Sequence, residues 1–300
     1  MPKKQTGLRG ELKMNEPLSR HTTWRVGGPA AHYFQPADID DLAIYLSSLP
    51  GDEDIYWIGL GSNLLVRDGG FKGSIICTSG VMNGLRFLDN SQVEVEAGVA
   101  CPKVARQCAK QGLKNAEFLS GIPGTMGGAL AMNAGAFGGE TWEIVKSVTT
   151  INRHGQLTER TPDEYEIAYR HVKGPQDEWF VSTVIQLEPG DAESLLEKNK
   201  SLLAKRGSSQ PTQQPNAGSV FRNPDGDYAA RLIEEAGLKG TCIGGACVSE
   251  KHANFIVNTG TATASDIENL IEQVAETVKH VHGIELTREV CIVGERIEDK

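Results

Sequence analysis

Three polar side chains with distinct chemistry lie close together near residue 220 of this sequence. Within the segment Asn216–Pro224, Ser219 brings a hydroxyl group, Arg222 a guanidinium group and Asn223 an amide. A guanidinium group stays charged and can pair with a carboxylate, and a hydroxyl group whose alkoxide is stabilised by a neighbour can donate a proton. On its own, however, a serine in such a segment is more often a turn residue than a catalytic group.

A glycine-rich stretch, Ser120–Gly139, is the second candidate site. Seven of its twenty residues are glycine, and bulky or rigid residues interrupt them, so it is not of low complexity. Glycine lets the backbone approach another group closely, and successive N–H groups near a helix start can hold an anion. We predict that Thr125–Ala134 is a short helix whose N-terminus faces an anion. Two interpretations remain open: a loop around a phosphate-bearing cofactor, and a tight packing joint between two elements.

A third glycine segment, Gly59–Asp68, follows the predicted strand Ile55–Ile58. It begins like the dinucleotide fingerprint GxGxxG, but its sixth position is Leu64, and the next residues have a strand pattern. We therefore exclude a Rossmann fold. A Gly-x-Gly-Ser-Asn turn can still present donors to a pyrophosphate, and a plain tight turn is the alternative. Arg25, beside Gly27–Gly28, could also meet a phosphate, although a surface arginine is the more common case.

Size and charge exclude several classes of protein. The chain has 300 residues and a net charge of −9, and its sequence pI is about 5.4. No run of lysine and arginine is longer than a pair, so we expect neither nucleic acid nor an anionic membrane surface as a partner. No apolar run approaches the roughly 20 residues of a membrane span. Met1–Lys13 lacks the apolar core of a secretory signal.

The cysteines are expected to be reduced thiols, mostly buried as small hydrophobic side chains. No two of them form a Cys-x-x-Cys pair, and the histidines have no matching ligand spacing, so the sequence predicts no metal site. Reduced thiols are typical of a reducing cytosol, and we expect a cytoplasmic protein. The six cysteines are Cys77, Cys101, Cys108, Cys242, Cys247 and Cys291.

Helix and strand patterns are mixed along the chain and predict an α+β fold. The clearest helix is capped by Thr263, with Asp266 in the capping-box position and Gly283 at its end. The polar segment Ser208–Pro215 is predicted to be a domain linker, and residues 1–20 an irregular lead-in. The other predicted helices are 38–49, 102–111, 191–206 and 228–236. The predicted strands are 31–35, 55–58, 73–78, 92–97, 145–152, 156–161, 180–187, 243–248, 254–258 and 289–293.

Taken in order, eight short motifs resemble one family, the UDP-N-acetylenolpyruvoylglucosamine reductases (MurB). Each motif alone is modest, but the ordered set is highly specific and extends from about residue 20 to residue 294. The short spacing between Arg170 and Ser219 resembles the shorter of the family's two types. The motifs are Thr23–Ala30, Gly59–Leu65, Gly121–Gly128, Met132–Ala136, Tyr169–Arg170, Asn216–Pro224, His252–Phe255 and Leu286–Val290.

The resemblance implies a flavin-binding module followed by a substrate domain. The module, of the vanillyl-alcohol-oxidase (PCMH) type, would span residues 21–190, with subdomains of about 21–80 and 81–190. The C-terminal α+β substrate domain would span residues 207–300. The implied ligands are non-covalently bound FAD, NADPH as hydride donor and a UDP-sugar substrate, with no metal. We expect a monomer that acts in the cytoplasm, in peptidoglycan precursor synthesis and hence in cell shape and division.

The implied reaction reduces the enolpyruvyl ether of UDP-N-acetylglucosamine to the lactyl ether, giving UDP-N-acetylmuramate. Negative charge develops at C2 of the substrate, where it needs stabilisation and a proton. The resemblance implies that Arg170 and Glu289 lie at the substrate carboxylate and that Ser219 donates the proton. The implied substrate contacts are Tyr169, Arg222 and Asn223. The implied FAD contacts are Gly59, Gly61, Ser62, Asn63, Leu64, Gly124, Thr125, Gly127, Gly128, Asn133 and Gly135.

The chain departs from the family pattern beside Arg170. The family often has a hydroxyl residue two places after this arginine, and here His171 and Val172 follow it. The task of that hydroxyl group is therefore done otherwise in this chain, or is dispensable.

Three other functions are less consistent with the sequence. An FAD-linked oxidase of the same wider fold often tethers its flavin through His or Cys; His21 lies near the first flavin motif, but the glycine-rich loops contain neither residue. A binding regulator without catalysis would not need Ser219, Arg170 and Glu289 together. A plain scaffold protein would not explain three glycine-rich loops in family order.

Overall fold

Helices and strands are interspersed throughout residues 7–297, the part of the chain that the computed structural model describes. This mixture confirms the predicted α+β class. The helices are α1 Ile39–Ser48, α2 Cys101–Lys110, α3 Met126–Met132, α4 Ala192–Ser209, α5 Ala229–Glu235 and α6 Ala264–His282. The strands are β1 Glu11–Pro17, β2 Pro29–Gln35, β3 Ile55–Ile58, β4 Leu64–Val66, β5 Phe71–Cys77, β6 Leu85–Phe87, β7 Gln92–Glu96, β8 Leu113–Lys114, β9 Gly135–Ala136, β10 Gly139–Glu140, β11 Val145–Asn152, β12 Leu157–Arg160, β13 Glu166–Ala168, β14 His171–Lys173, β15 Glu178–Gln186, β16 Glu188–Pro189, β17 Cys242–Ile243, β18 Ala246–Val248, β19 Ile256–Asn258 and β20 Cys291–Val293.

The chain divides into two compact units. The first contains residues 7–13, His32–Gly59 and Gly73–Ala204. The second contains Met14–Ala31, Leu60–Lys72 and residues 205–297. Compact units and functional domains are different divisions of a chain, so the domain boundaries at residues 21, 190 and 207 stay a prediction.

An antiparallel sheet of order β12-β11-β15-β7-β6 forms the centre of the first unit. Along β7, Val93 and Val95 are fully buried and alternate with half-buried glutamates, so one face of the strand packs into a core. That core also contains Val104 and Cys108 of α2 and Met126 of α3. The glycine-rich stretch is therefore fixed against the central sheet.

A second sheet, of order β1-β2-β5-β3, carries a parallel pair in which Ile55 of β3 lies opposite Ser74 of β5. Helix α1 begins at the predicted position because the Asp38 side chain accepts a hydrogen bond from the N–H of Asp41. The buried face of α1, with Leu42 and Leu46, packs in a hydrophobic cluster with Ile76 of β5. The predicted strand–helix–strand order of this region is confirmed.

The second unit is built around α6. Thr263 and Asp266 form the predicted capping box, and Gly283 ends the helix in the left-handed conformation at φ +69°. The apolar face of α6 packs in one core with Trp24, Leu65 and Phe221. The three-stranded antiparallel sheet β17-β18-β19 and the parallel pair β4 and β20 complete this unit.

Arg67, which follows β4, is bound to α6 in the same unit. Its Nε and Nη2 atoms donate to both carboxylate oxygens of Glu268 over 2.8–3.2 Å, and its Nη1 donates to the carbonyl oxygen of Gly294 at 3.1 Å. Glu268 is 4% exposed and also accepts from Arg296. This fork-to-fork pairing binds Leu60–Lys72 to the C-terminal part of the chain.

The expectations for the lead-in and for one pair of cysteines are wrong. Residues 11–17 of the predicted irregular lead-in form the strand β1, while residues 1–6 lie outside the described part of the chain. Cys242 and Cys247 are not reduced thiols but form a disulfide, because they are directly opposite each other across the β17–β18 hairpin. Of the remaining cysteines, Cys77, Cys101 and Cys108 are buried and Cys291 is exposed.

Two kinds of feature are absent from the described residues. No helix there is long and apolar enough to cross a membrane. The same part of the chain contains no group of three or more histidine, cysteine or acidic side chains that could hold a metal ion.

Candidate active site

The start of α3 pairs with the segment that joins β7 to α2. The N–H of Cys101 donates to the carbonyl oxygen of Gly124, the N–H of Met126 to that of Val99, and the N–H of Gly127 to that of Ala97, each at 2.9 Å. The predicted short helix is present, but the expectation of a free anion-facing N-terminus is wrong for Met126 and Gly127. Their N–H groups already donate to the protein.

Gly59 and the glycines at the start of α3 fall into two groups. A Cβ atom added at Gly59 would collide with the hydroxyl group of Thr125, and one added at Gly127 would lie 2.9 Å from the Cβ of Ala97. These glycines are explained by close packing. At Gly128, by contrast, the nearest atom to an added Cβ is the Thr125 hydroxyl oxygen at 3.9 Å.

Gly128 therefore faces space that the protein leaves open, on the side of the Thr125 hydroxyl group. This opening is what a bound cofactor would need, and it is the observation that makes the residues present fit FAD. Close packing is therefore shown for Gly127, while a cofactor contact at Gly128 stays a prediction.

Arg170 lies beside Asn133 and Gly135 in the first unit. It lies at the turn of the β13–β14 hairpin with φ +54°, and its guanidinium group donates to the carbonyl oxygens of Gly135 at 3.0 Å and Asn133 at 3.4 Å. Its charge also lies 5.1 Å from the ring centre of Tyr169. Two predicted site motifs, Met132–Ala136 and Tyr169–Arg170, therefore meet here.

Asn133 is held in this arrangement by several hydrogen bonds of its side chain. It is 2% exposed and ends α3 in the left-handed conformation at φ +44°. Its Nδ2 donates to Glu140 at 2.7 Å and to the carbonyl oxygen of Ala168 at 3.2 Å, and its Oδ1 accepts from the N–H of Trp142 at 3.1 Å. Asn133 thus fixes the hairpin that carries Arg170. Its amide is satisfied by the protein in this structure.

Val172, which replaces the family's frequent hydroxyl residue, lies opposite Ile167 in the β13–β14 pair. Both side chains are partly buried and pack against the core of the first unit, as does Tyr165. The hydroxyl residue is therefore replaced by an apolar contact that holds the hairpin to the core.

Gly61, Ser62, Asn63 and Leu64 lie in the second unit. Gly61 has φ +62°, and its carbonyl oxygen accepts from the N–H of Thr23 at 3.1 Å, which joins the first two motifs of the predicted set. Ser62 is half-buried, whereas Leu64 is buried in β4 and pairs with Cys291. The backbone is held very close here, since a Cβ at Gly61 would collide with the carbonyl oxygen of His21.

Ser219 and Glu289 lie on two segments that are hydrogen-bonded to each other. The N–H of Glu289 donates to the carbonyl oxygen of Val220 at 2.8 Å, and the N–H of Arg222 donates to that of Thr287 at 2.8 Å. Phe221 and Arg288 form a bridge between them. The two predicted catalytic residues of the second unit are therefore neighbours, both half-buried.

The two remaining candidates of this segment differ in character. The Nε atom of Arg222 is buried and has no hydrogen-bond partner, which is costly unless a ligand supplies one. The Oδ1 atom of Asn223, in contrast, accepts from the N–H of Ala229 at 3.1 Å at the start of α5. Arg222 is thus a strong candidate for a ligand contact, and Asn223 has a structural task.

Two residues of this region had no role in the sequence interpretation. Trp24 is fully buried, and its Nε1 donates to the carbonyl oxygen of Ile256 at 2.8 Å. The carbonyl oxygen of Trp24 accepts a hydrogen bond from the side-chain amide of Asn258 at 2.8 Å. Asn254 makes hydrogen bonds to Val220 and Phe221. Both belong to motifs of the resemblance, which was the only signal for them.

Two family models match the chain. A model described as the C-terminal domain of UDP-N-acetylenolpyruvoylglucosamine reductase matches residues 210–293. A model described as an FAD binding domain matches residues 30–160. The first contains Ser219, Arg222 and Glu289, and the second contains the glycine-rich stretch.

Individual relatives are similar over nearly their whole length. The UDP-N-acetylenolpyruvoylglucosamine reductase of Alkalilimnicola ehrlichii is 57% identical over 286 residues, covering 95% of this chain and 96% of the relative. That of Methylococcus capsulatus is 55% identical over 287 residues, covering 96% and 94%. The crystal structure of the reductase (MurB) from Thermus caldophilus has a TM-score of 0.79 at 30% identity and covers 95% of this chain and 99% of that one.

Proposed function

This chain belongs to the UDP-N-acetylenolpyruvoylglucosamine reductase family, and we propose from that premise how its residues divide the work of the reaction. It is an FAD-dependent oxidoreductase that uses NADPH to reduce UDP-N-acetyl-3-O-(1-carboxyvinyl)glucosamine to UDP-N-acetylmuramate. The observation that carries this conclusion is the similarity to reductases over nearly the full length of both chains.

FAD, when bound, supplies the redox chemistry by accepting a hydride from NADPH and delivering it to the substrate. We propose that Thr125 and Gly128 of the first unit contact this cofactor, with Thr125 as a hydrogen-bonding side chain at the opening beside Gly128. Gly59 is proposed to contribute through its backbone, because its lack of a Cβ lets it lie against the Thr125 hydroxyl group. Gly124 and Gly127, on either side of Thr125, hold it in place through backbone hydrogen bonds to Cys101 and Ala97. Gly61, Ser62, Asn63, Leu64, Asn133 and Gly135 keep their proposed role as cofactor contacts.

Ser219 is the proposed proton donor to C2 of the substrate. A serine hydroxyl group is a weak acid, so it needs neighbours that stabilise negative charge on its oxygen. Arg222, three residues further on, is a permanent positive charge with a buried and unpartnered Nε. We therefore propose that Arg222 contacts the substrate and favours proton release from Ser219.

Arg170 and Glu289 are proposed to act at the substrate carboxylate. Arg170 suits this task because a guanidinium group stays charged and presents a planar pair of donors. Its orientation is already fixed by the carbonyl oxygens of Gly135 and Asn133. Glu289 would repel an ionised carboxylate, so it assists most when it is protonated or shares a proton.

Tyr169 and Asn223 complete the proposed substrate contacts. The Tyr169 ring is exposed and supports the Arg170 charge from one side. Asn223 already binds the start of α5, so its contribution to the substrate would be indirect. We also propose that the enzyme acts in the cytoplasm as a monomer without nucleic acid, and so supports cell division and cell shape through peptidoglycan supply.

Measuring the two half-reactions separately tests these proposed roles. The change Ser219→Ala is expected to leave the reduction of bound flavin by NADPH within about twofold of the parent. It is expected to slow reoxidation by the enolpyruvyl substrate by about 10²–10⁴-fold, the usual contribution of a general acid. Stopped-flow absorbance under anaerobic conditions measures both steps. Equal losses in the two half-reactions would overturn the role of Ser219 as proton donor.

A further inference from the structure

Asn254 is buried beside the segment that carries Ser219. Its side chain is 3% exposed. Its Nδ2 donates to the carbonyl oxygen of Phe221 at 2.8 Å, and its Oδ1 accepts from the N–H of Phe221 at 3.0 Å. Its own carbonyl oxygen accepts from the N–H of Val220 at 2.9 Å. Asn254 thus binds three backbone groups of two consecutive residues, as a neighbouring strand would.

The opposite edge of the same segment is bound to the chain around Glu289. The carbonyl oxygen of Val220 accepts from the N–H of Glu289, and the N–H of Arg222 donates to the carbonyl oxygen of Thr287, both at 2.8 Å. Val220–Arg222 is therefore held from both sides, with Ser219 directly before it. Upstream, Gly218 has φ +76°, and its N–H donates to the Oδ1 of Asn216 at 2.9 Å.

Asparagine is well suited to this position. Its amide offers one donor and one acceptor at the spacing of a peptide group, so it can bind both backbone groups of one residue. A carboxylate of the same shape lacks the donor and would face the Phe221 carbonyl oxygen with like charge. An apolar residue of similar size would leave two buried backbone groups unsatisfied, which is costly.

We propose that Asn254 is a positioning residue for proton transfer, which sets the location of the Ser219 hydroxyl group relative to Glu289. This inference rests on the proposed role of Ser219. It goes further, because it assigns the His252–Phe255 motif a task in the substrate half-reaction alone. Asn254 acts through Val220 and Phe221 and has no contact with substrate in the proposal.

The variant Asn254→Asp tests the inference in the full-length, FAD-loaded enzyme. At pH 8 we expect flavin reduction by NADPH within about twofold of the parent and reoxidation by substrate slowed by about 10–100-fold, since an error of about 1 Å in placement has an effect of that size. Unchanged reoxidation, or equal slowing of both half-reactions, would overturn the inference.

Lowering the pH gives a readout that a merely structural role would not produce. A protonated carboxyl group has one donor and one acceptor, like the amide it replaces, and a buried carboxylate facing a carbonyl oxygen takes up a proton readily. The reoxidation rate of Asn254→Asp should therefore approach that of the parent as pH falls from 8 to 5.5. The parent is measured at each pH, because the three joined segments carry other titratable groups. These are Arg222, Glu250, Lys251, His252, Arg288 and Glu289.

A matched control and a second variant complete the design. Asn258 is also buried, and its amide donates to the carbonyl oxygen of Trp24 at 2.8 Å. The change Asn258→Asp should show no selective, pH-recoverable loss of reoxidation, and such a loss would contradict the inference. If Asn254→Asp does not fold with FAD, Asn254→Ser takes its place; the same selective loss supports the inference, and an unchanged rate overturns it. A parent enzyme without substrate-dependent reoxidation would instead refute the proposed function.

Discussion

The side chain of Asn63 is joined to the backbone of Glu289. Its Nδ2 donates to the Glu289 carbonyl oxygen at 3.2 Å, and the N–H of Cys291 donates to the Asn63 carbonyl oxygen at 3.1 Å. A residue predicted to contact FAD therefore helps to fix the backbone of a residue predicted to contact substrate. Both belong to one compact unit, although most of the chain separates them in sequence.

Variants of Glu289 should distinguish a neutral hydrogen-bond donor from a charged group. If Glu289 acts in a protonated or proton-sharing form, Glu289→Gln keeps a donor, and substrate reoxidation should fall by only about 10-fold. Glu289→Ala removes the donor and should cost about 100-fold or more. Single-turnover kinetics of the reduced enzyme measure both. Equal losses in the two variants would contradict a hydrogen-bonding role.

Alanine variants of the adjacent glycines Gly127 and Gly128 should distinguish a cofactor contact from close packing. An alanine at Gly128 enters open space and has a better helix propensity, so Gly128→Ala should leave the unfolding free energy of the FAD-free protein unchanged or raise it by up to about 1 kcal/mol. It should weaken FAD binding at least 10-fold, as measured by fluorescence titration.

Gly127→Ala is the packing control for that comparison. Its Cβ would lie 2.9 Å from Ala97, which should lower the unfolding free energy by about 1–3 kcal/mol. Unaltered FAD affinity in Gly128→Ala would place the cofactor elsewhere.

The ion pair between Arg67 and Glu268 predicts a specific dependence of stability on pH. Hydrogen bonds from Arg67 lower the pKa of Glu268 below its ordinary value. The stabilisation is therefore present above the carboxyl pKa of the unfolded chain, about 4.3, and is lost as pH falls through the lower folded value. Glu268→Gln should lower the unfolding free energy by about 2–4 kcal/mol at pH 7, and by much less at pH 3.

Urea denaturation at both pH values measures this difference. Glu272→Gln is the control, because Glu272 is exposed and its ion pair with Arg296 lies at the surface. This change should lower the unfolding free energy by less than about 1 kcal/mol. A Glu268→Gln effect that is equal at pH 7 and pH 3 would contradict the assignment.

The state of the cysteines predicts an alkylation pattern. Burial raises the pKa of the Cys101 and Cys108 thiols to about 12, so these thiols should resist iodoacetamide in the folded protein, whereas the exposed Cys291 reacts. After unfolding without reductant, mass spectrometry should find four modified cysteines, because Cys242 and Cys247 are bonded to each other. Six modified cysteines in that sample would show that the disulfide is absent.

Local signals predicted much of the fold. The capping box at Thr263 and the left-handed Gly283 give the ends of α6, and Asp38 gives the start of α1. These features depend on residues within one or two helical turns, which the sequence displays directly. The rejection of a Rossmann fold also depended on a local pattern, the strand that begins at Leu64.

Long-range pairings could not be predicted in this way. The β13–β14 hairpin that presents Arg170 is made of three-residue strands, which are too short to show a period. The disulfide depends on the register of β17 against β18, and the parallel pair β4 and β20 joins distant parts of the chain. The hydrogen bonds of Asn254 likewise depend on the fold, which brings the backbone of Val220 and Phe221 beside its side chain. The ordered motifs indicated the family, but only the structure shows these contacts.

The visible spectrum of the purified enzyme under anaerobic conditions is the most direct measurement of the reductase cycle. We expect an oxidised flavin spectrum that bleaches on addition of NADPH and returns only on addition of UDP-N-acetyl-3-O-(1-carboxyvinyl)glucosamine, with UDP-N-acetylmuramate as the product. A flavin that NADPH does not reduce, or that oxygen reoxidises while the enolpyruvyl substrate does not, would contradict this function and favour an oxidase.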